Sequence, residues 1–152
     1  MSSTFIAIFV LVVAAVVWVV STQRKLVVLD ENVSSAMSQI GVQLSSRLDA
    51  LTALLDLTKN CAGHEVEPLM ETVKSKRSTI TATSTPEDVL RQEEVIAEVL
   101  RKISTMAERF PELKSNPSYL RTLNAVDTFD NMVRTSRLIY NDSVAKFNRE
   151  IR

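Results

Sequence analysis

The chain has 152 residues, 45% of them hydrophobic and 24% charged, an ordinary globular composition that excludes wholesale disorder. Its 18 Lys and Arg balance 18 Asp and Glu with the signs interspersed, so there is no basic stripe for a phosphate backbone and nucleic acid is not an expected partner. The lone cysteine, Cys61, excludes an intramolecular disulfide, and the lone histidine, His64, confines imidazole chemistry to one centre.

Every charged side chain falls at or after Arg24. Phe5 to Val20 is an unbroken run of 16 apolar residues, with uncharged polar flanks at Ser2 to Thr4 and Ser21 to Gln23. A helix rising about 1.5 Å per residue spans roughly 24 Å with the run and roughly 34 Å with the flanks. Residues 1–23 are therefore read as a transmembrane anchor and residues 24–152 as one polar domain. A cleaved leader would want a basic start and a small-x-small cleavage site; MSST precedes the run and Ser-Thr-Gln-Arg-Lys follows it. Arg24 and Lys25 directly after the span place the C-terminal domain in the cytoplasm and the N-terminus outside. The expected location is the cell (inner) membrane, crossed once, with the bilayer as partner through residues 5–20.

Beyond Leu26 the apolar residues recur at helical spacing. Leu29, Val33, Met37, Ile40, Leu44, Leu48, Leu51 and Leu55 form one stripe along a long first helix. Neither Pro nor Gly separates that stripe from the anchor. Asn60 to Gly63 look like its end, with Gly63 as a left-handed cap. A second, shorter helix is predicted from about Glu65 to Ala82, with Val66, Leu69 or Met70, Val73, Arg77 and Ile80 inward and Pro68 in its first turn. Thr85-Pro86-Glu87-Asp88 reads as a helix start: N-cap, Pro at the first position, then two carboxylates. The third helix, about Pro86 to Arg109, buries Val89 or Leu90, Ile96, Leu100, Ile103 and Ala107. Asn116-Pro117 repeats the same grammar after the break at Phe110-Pro111. The fourth helix carries Leu120, Leu123, Val126, Asp130, Val133, Arg137, Tyr140, Val144, Phe147 and Ile151 on one stripe. The fold expected is all-α: a transmembrane helix, then an antiparallel four-helix bundle with two long and two shorter helices.

Two members of the last stripe are charged, and charges on an inner face need partners. Asp130 and Arg137, with Tyr140, are expected to meet Gln39, Gln43 and Arg47 of the first helix as a buried polar network or as solvated charges at the stripe's margin. Either reading is structural; the alternative is a small polar ligand or metal bound between the helices. Cys61, His64, Glu65 and Glu67 cluster in sequence, but no Glu-x-x-His pair of a di-iron bundle is present and no orienting partner for a Cys nucleophile is evident. Gly-rich phosphate loops, a Ser nucleophile elbow and CxxC are all absent from the sequence. No catalytic residue, metal site or cofactor is expected, and the protein is read as non-enzymatic.

The run Ala36-Met37-Ser38-Gln39-Ile40-Gly41-Val42-Gln43-Leu44-Ser45-Ser46-Arg47-Leu48-Asp49, continued to Lys59 and His64-Glu65, resembles the first helix of LemA family proteins, A-W-x-Q-I-D-V-Q-L-x-R-R-x-D-L. Phe110-Pro111-Glu112-Leu113-Lys114-Ser115-Asn116, then Asp130-Asn131, Arg137, Tyr140-Asn141 and Phe147-Asn148, resemble that family's Y-P-x-L-K-A-N, T-E-N, A-R-x-x-Y-N and Y-N. Met37 stands for the usual Trp, Gly41 for Asp, Ser46 for Arg and Thr52-Ala53 for Pro-Asn; the family's following Phe-Pro segment is not found before Arg152. The resemblance implies a membrane-anchored helical bundle with no established enzymatic activity and, by analogy alone, a role in membrane organisation. The function expected is that of a scaffold or adaptor with a protein partner or self-association.

Overall fold

A computed structural model describes residues 2–151, and every regular element in it is helical. Helix α1 runs without interruption over Ser2–Ala62. At about 1.5 Å per residue it is roughly 90 Å long. Its N-terminal part contains an 18-residue window of mean hydropathy 2.8, none of it buried against the rest of the protein. Among the described residues this is the one helix long and apolar enough to cross a membrane.

The other end of α1 is the opposite case. Met37, Ile40, Leu44, Leu48, Leu51 and Leu55 of the predicted stripe are buried, joined by Leu54, while Leu29 and Val33 are only half-covered. Burying each such side chain contributes about 1.5–3 kcal/mol, so the core is anchored on the second half of one helix. Gly63 ends α1 at φ +56, the left-handed conformation that costs glycine least. A single 3-10 turn, Gly63–Val66, then leads into α2, Glu67–Lys76, with Pro68 in its first turn.

Helix α2 stops earlier than its apolar spacing predicts. The sequence Ser78-Thr79-Ile80-Thr81-Ala82-Thr83 is rich in β-branched and hydroxyl residues, which favour extended chain over helix. Arg77 turns extended, and Gln92 supplies what a next helical turn would have supplied: its Nε2 donates to the Lys76 carbonyl at 2.6 Å and its Oε1 accepts from the Ser78 N–H at 3.1 Å. Ile80 is buried as predicted, but from this extended crossing and not from a helix. Arg77 points away from the core and holds Asp49 and Ser45 of α1 at 2.8 and 2.9 Å.

Helix α3, Pro86–Arg109, begins on a complete capping box. Thr85 Oγ1 accepts from the Asp88 N–H at 3.3 Å, and an Asp88 carboxylate oxygen accepts from the Thr85 N–H at 2.9 Å. Val89, Val95, Ile96, Val99, Ile103, Met106 and Ala107 face inward, Leu100 is half-buried, and Leu90 is exposed. Replacing Thr85 with Ala should cost about 1 kcal/mol, measured by urea unfolding.

The hydrogen bonds from the Thr85 N–H and hydroxyl hold the Asp88 carboxyl below the usual carboxylate range. A carboxyl whose folded pKa is depressed stabilises the fold above its unfolded pKa and stops doing so as pH falls through the folded value. Acid unfolding of an Asp88→Asn variant should therefore lack this part of the pH dependence.

The break at Phe110 is itself a short helix, α4, Pro111–Ser115, whose Leu113 is buried. Helix α5, Pro117–Glu150, starts on Asn116, whose side chain accepts from the N–H groups of Ser118 and Tyr119. Its inner face is led by Tyr119, not Leu120: Tyr119, Val126, Val133 and Ser136 are buried, Leu123, Val144 and Phe147 half-buried, and Leu120, Arg137 and Ile151 exposed. Burial raises the pKa of the Tyr119 hydroxyl. Helices α1 and α5 make the most extensive contact in the structure. Lys25 pairs with Glu150, and Arg47 with Asp130, so positions that ascend in α1 meet positions that descend in α5.

Candidate functional site

Ion pairs between helices join α5 to α1 and to α3. Arg47 sits on α1 between Leu44 and Leu48 and is only 9% exposed, so its guanidinium must find partners inside the protein. Its Nη1 lies 2.8 Å from Asp130 Oδ1 of α5. The second oxygen of Asp130 accepts from Arg134 Nε, one turn further along, also at 2.8 Å. Arg47 Nε has no hydrogen-bond partner. One carboxylate thus serves two guanidiniums, one inside and one exposed.

Arg137 does not join Asp130. It turns to α3, where its Nη1 donates to Glu93 Oε2 at 2.8 Å. Seven residues apart on α5, the two charges diverge to different neighbouring helices because each has an opposite charge closer than the other. Tyr140 is half-buried against the core, Gln43 is half-buried, and Gln39 is exposed. The six residues expected to form a network therefore contribute one pair, Arg47 with Asp130, and a separate pair reaching Glu93.

Arg137 and Tyr140 do border a cavity, together with Met37, Ile40 and Val89. It measures about 100 Å³, against the roughly 300–1,000 Å³ of ordinary ligand pockets. Neither Arg47 nor Asp130 lines it. Met37 stands there where the resembling family carries Trp. A larger groove, about 710 Å³, lies between the 77–85 crossing and α3, with Lys76, Arg77, Arg91, Asp88, Glu94 and Glu98 at its edges.

The Cys61, His64, Glu65 and Glu67 cluster is dispersed. Glu65 pairs with Arg109 of α3. Glu67 faces His64 Nδ1 at 3.2 Å and Lys59 at 3.5 Å, and the His64 hydrogen bond and charge lower its pKa. Cys61 is half-buried against the core. Among the described residues, no three His, Cys, Asp or Glu side chains gather in a way that could hold a metal ion.

Gln92, Glu93 and Arg134 were not singled out from the sequence, and Gly41 was noted there only as a departure from the family's pattern. Gln92 follows Val89 by three and precedes Ile96 by four, so the spacing of the α3 stripe does contain it. Gly41 is buried where the Ile80 carbonyl crosses α1. Arg134 occupies a solvent-side position of α5, while Glu93 lies at the margin of the α3 stripe, four residues after Val89 and three before Ile96, with its side chain 18% exposed.

The features together define a class: an all-helical protein whose core is built on the second half of one long helix, the first half being apolar and uncovered. Comparison with protein families matches residues 36–152 to the LemA family. The match covers well over half of the chain, and the protein belongs to the LemA family. A search of the curated proteins finds no match.

Proposed function

We propose that the protein is a non-enzymatic, single-pass membrane protein in which residues 1–23 are the anchor and residues 24–152 form an antiparallel four-helix bundle, built by α1, α2, α3 and α5, that serves as a cytoplasmic scaffold or adaptor. The observation that carries the reading is the asymmetry of α1, whose apolar N-terminal part is wholly uncovered while its C-terminal part supplies the core. An uncovered helix of that length and hydropathy belongs in lipid. Arg24 and Lys25 at its end orient the domain toward the cytoplasm.

Two ion pairs link neighbouring helices, one of them largely buried and one at the surface. Arg47 with Asp130 and Arg137 with Glu93 are ion pairs between helices, the arrangement that fixes which helix lies beside which. A scaffold needs that specificity and no reactive group.

Crosslinking and pull-down of the full-length protein from intact membranes, beside a control lacking residues 1–23, tests the proposal. A specific protein partner or self-association retained by the anchored form alone is expected. Turnover of a substrate by the purified protein, abolished by changing Asp130, Arg137 or His64, would sink it.

A further inference from the structure

The end of α5 lies beside the end of the apolar segment. Lys25 Nζ meets Glu150 Oε2 at 2.7 Å, and Arg47 meets Asp130. The register these pairs set puts Ile151 level with Arg24 and Lys25. Because α1 is continuous from Ser2 to Ala62, no hinge separates that level from the apolar run ending at Val20. Five residues of helix are about 7.5 Å. Each headgroup layer of a bilayer is about 5–7.5 Å thick, and a run of 16 residues, roughly 24 Å, is shorter than the roughly 30 Å hydrocarbon core. Thinning of the bilayer, or burial of the Ser21 to Gln23 flank, brings Lys25 closer still.

The chemistry at this level suits an interface. Ile151 is 57% exposed just beyond the end of α5. Phe147, one turn earlier, is half-buried. Glu150 and Asp142 are occupied by Lys25 and Lys146 at 2.7 Å each. Arg24 and Arg149 are exposed and meet no carboxylate among the described residues. An apolar tip flanked by two uncompensated guanidiniums matches the boundary between acyl chains and anionic phosphates.

We infer that the C-terminal turn of α5 is a second membrane contact, seated in the headgroup layer beside the anchor, with Ile151 toward the acyl chains and Arg24 and Arg149 on lipid phosphates. The bundle is then held at the bilayer by two helices, the continuous α1 and the end of α5. The inference rests on the membrane reading of residues 1–23.

The test uses the full-length protein in vesicles of phosphatidylcholine and phosphatidylglycerol, with Cys61→Ser and single cysteines introduced as Val13→Cys, Ile151→Cys or Ser115→Cys, each carrying an environment-sensitive fluorophore. Lipids spin-labelled at the headgroup are expected to quench the fluorophore at 151 severalfold more than that at 115, and charge reversal by R24E with R149E should halve that quenching or more. Equal quenching at 151 and 115, with the label at 13 quenched by lipids spin-labelled in the acyl chain, would overturn the second contact and leave the anchor standing. A label at 13 that lipid does not quench would overturn both.

Discussion

Replacing Asp130 with Ala should cost about 3–5 kcal/mol of stability. The change removes the carboxylate that faces Arg47 Nη1, and the Arg47 side chain is only 11% exposed, so its charge stays inside without compensation. Arg134, the other partner, is 72% exposed and returns to water at little cost. The reciprocal change, Arg47→Met, should cost less, because Asp130 keeps Arg134 and has 21% of its side chain in solvent. Combining Arg47→Met with Asp130→Leu should recover most of the loss, since an apolar pair of similar volume replaces a desolvated ionic one. Urea unfolding of the wild type and the three variants in a mild detergent, followed by far-ultraviolet circular dichroism, measures these differences. Equal, small effects from both single changes would show that the pair is solvated.

Gly41→Ala should destabilise the protein by about 2 kcal/mol, the reverse of the usual result. Within a helix, Ala in place of Gly ordinarily gains about 1 kcal/mol. At position 41 an added Cβ would lie 2.2 Å from the Ile80 carbonyl oxygen and 2.9 Å from its carbon. Both are backbone atoms, so relief requires moving the 77–85 crossing and not merely rotating a side chain. That crossing is held by Gln92 on one side and by Arg77 with Asp49 and Ser45 on the other. Displacing it exposes Ile80, which a loss of cooperativity or a rise in proteolysis near residue 80 would report. Gly63→Ala is the control: nothing lies within 4 Å of its added Cβ, and the left-handed φ alone should cost about 1 kcal/mol.

The long helices were legible because their evidence is periodic and redundant. Eight apolar positions stepping by three and four identify α1, and two repeats of an N-cap followed by Pro identify the starts of α3 and α5. The end of α2 was not legible. Val66, Leu69, Val73 and Ile80 fit one helical stripe, yet the hydrogen bonds that end the helix come from Gln92, sixteen residues beyond Lys76. Local spacing cannot register a competing partner supplied by the tertiary fold.

The polar residues were legible in part: Arg47 does meet Asp130, as their faces suggested, while the partner of Arg137 was not foreseen. Asp130 and Arg137 share a face, which periodicity states correctly, but pairing depends on which charge of another helix lies nearest. Glu93 settles the matter for Arg137. Tyr119 and Leu120 show the smaller version of this effect, where two adjacent apolar residues compete for one inward position and the bulkier, aromatic one fills it.

The most direct measurement is alkaline extraction of membranes containing the full-length protein, followed by protease treatment of sealed vesicles of both orientations. The protein is expected to stay in the membrane through the alkaline wash. Its helical domain should be digested in inverted vesicles and protected in right-side-out ones. Release by the wash would show that the apolar part of α1 does not span the bilayer, and digestion in right-side-out vesicles would place the bundle on the opposite side from the one Arg24 and Lys25 predict.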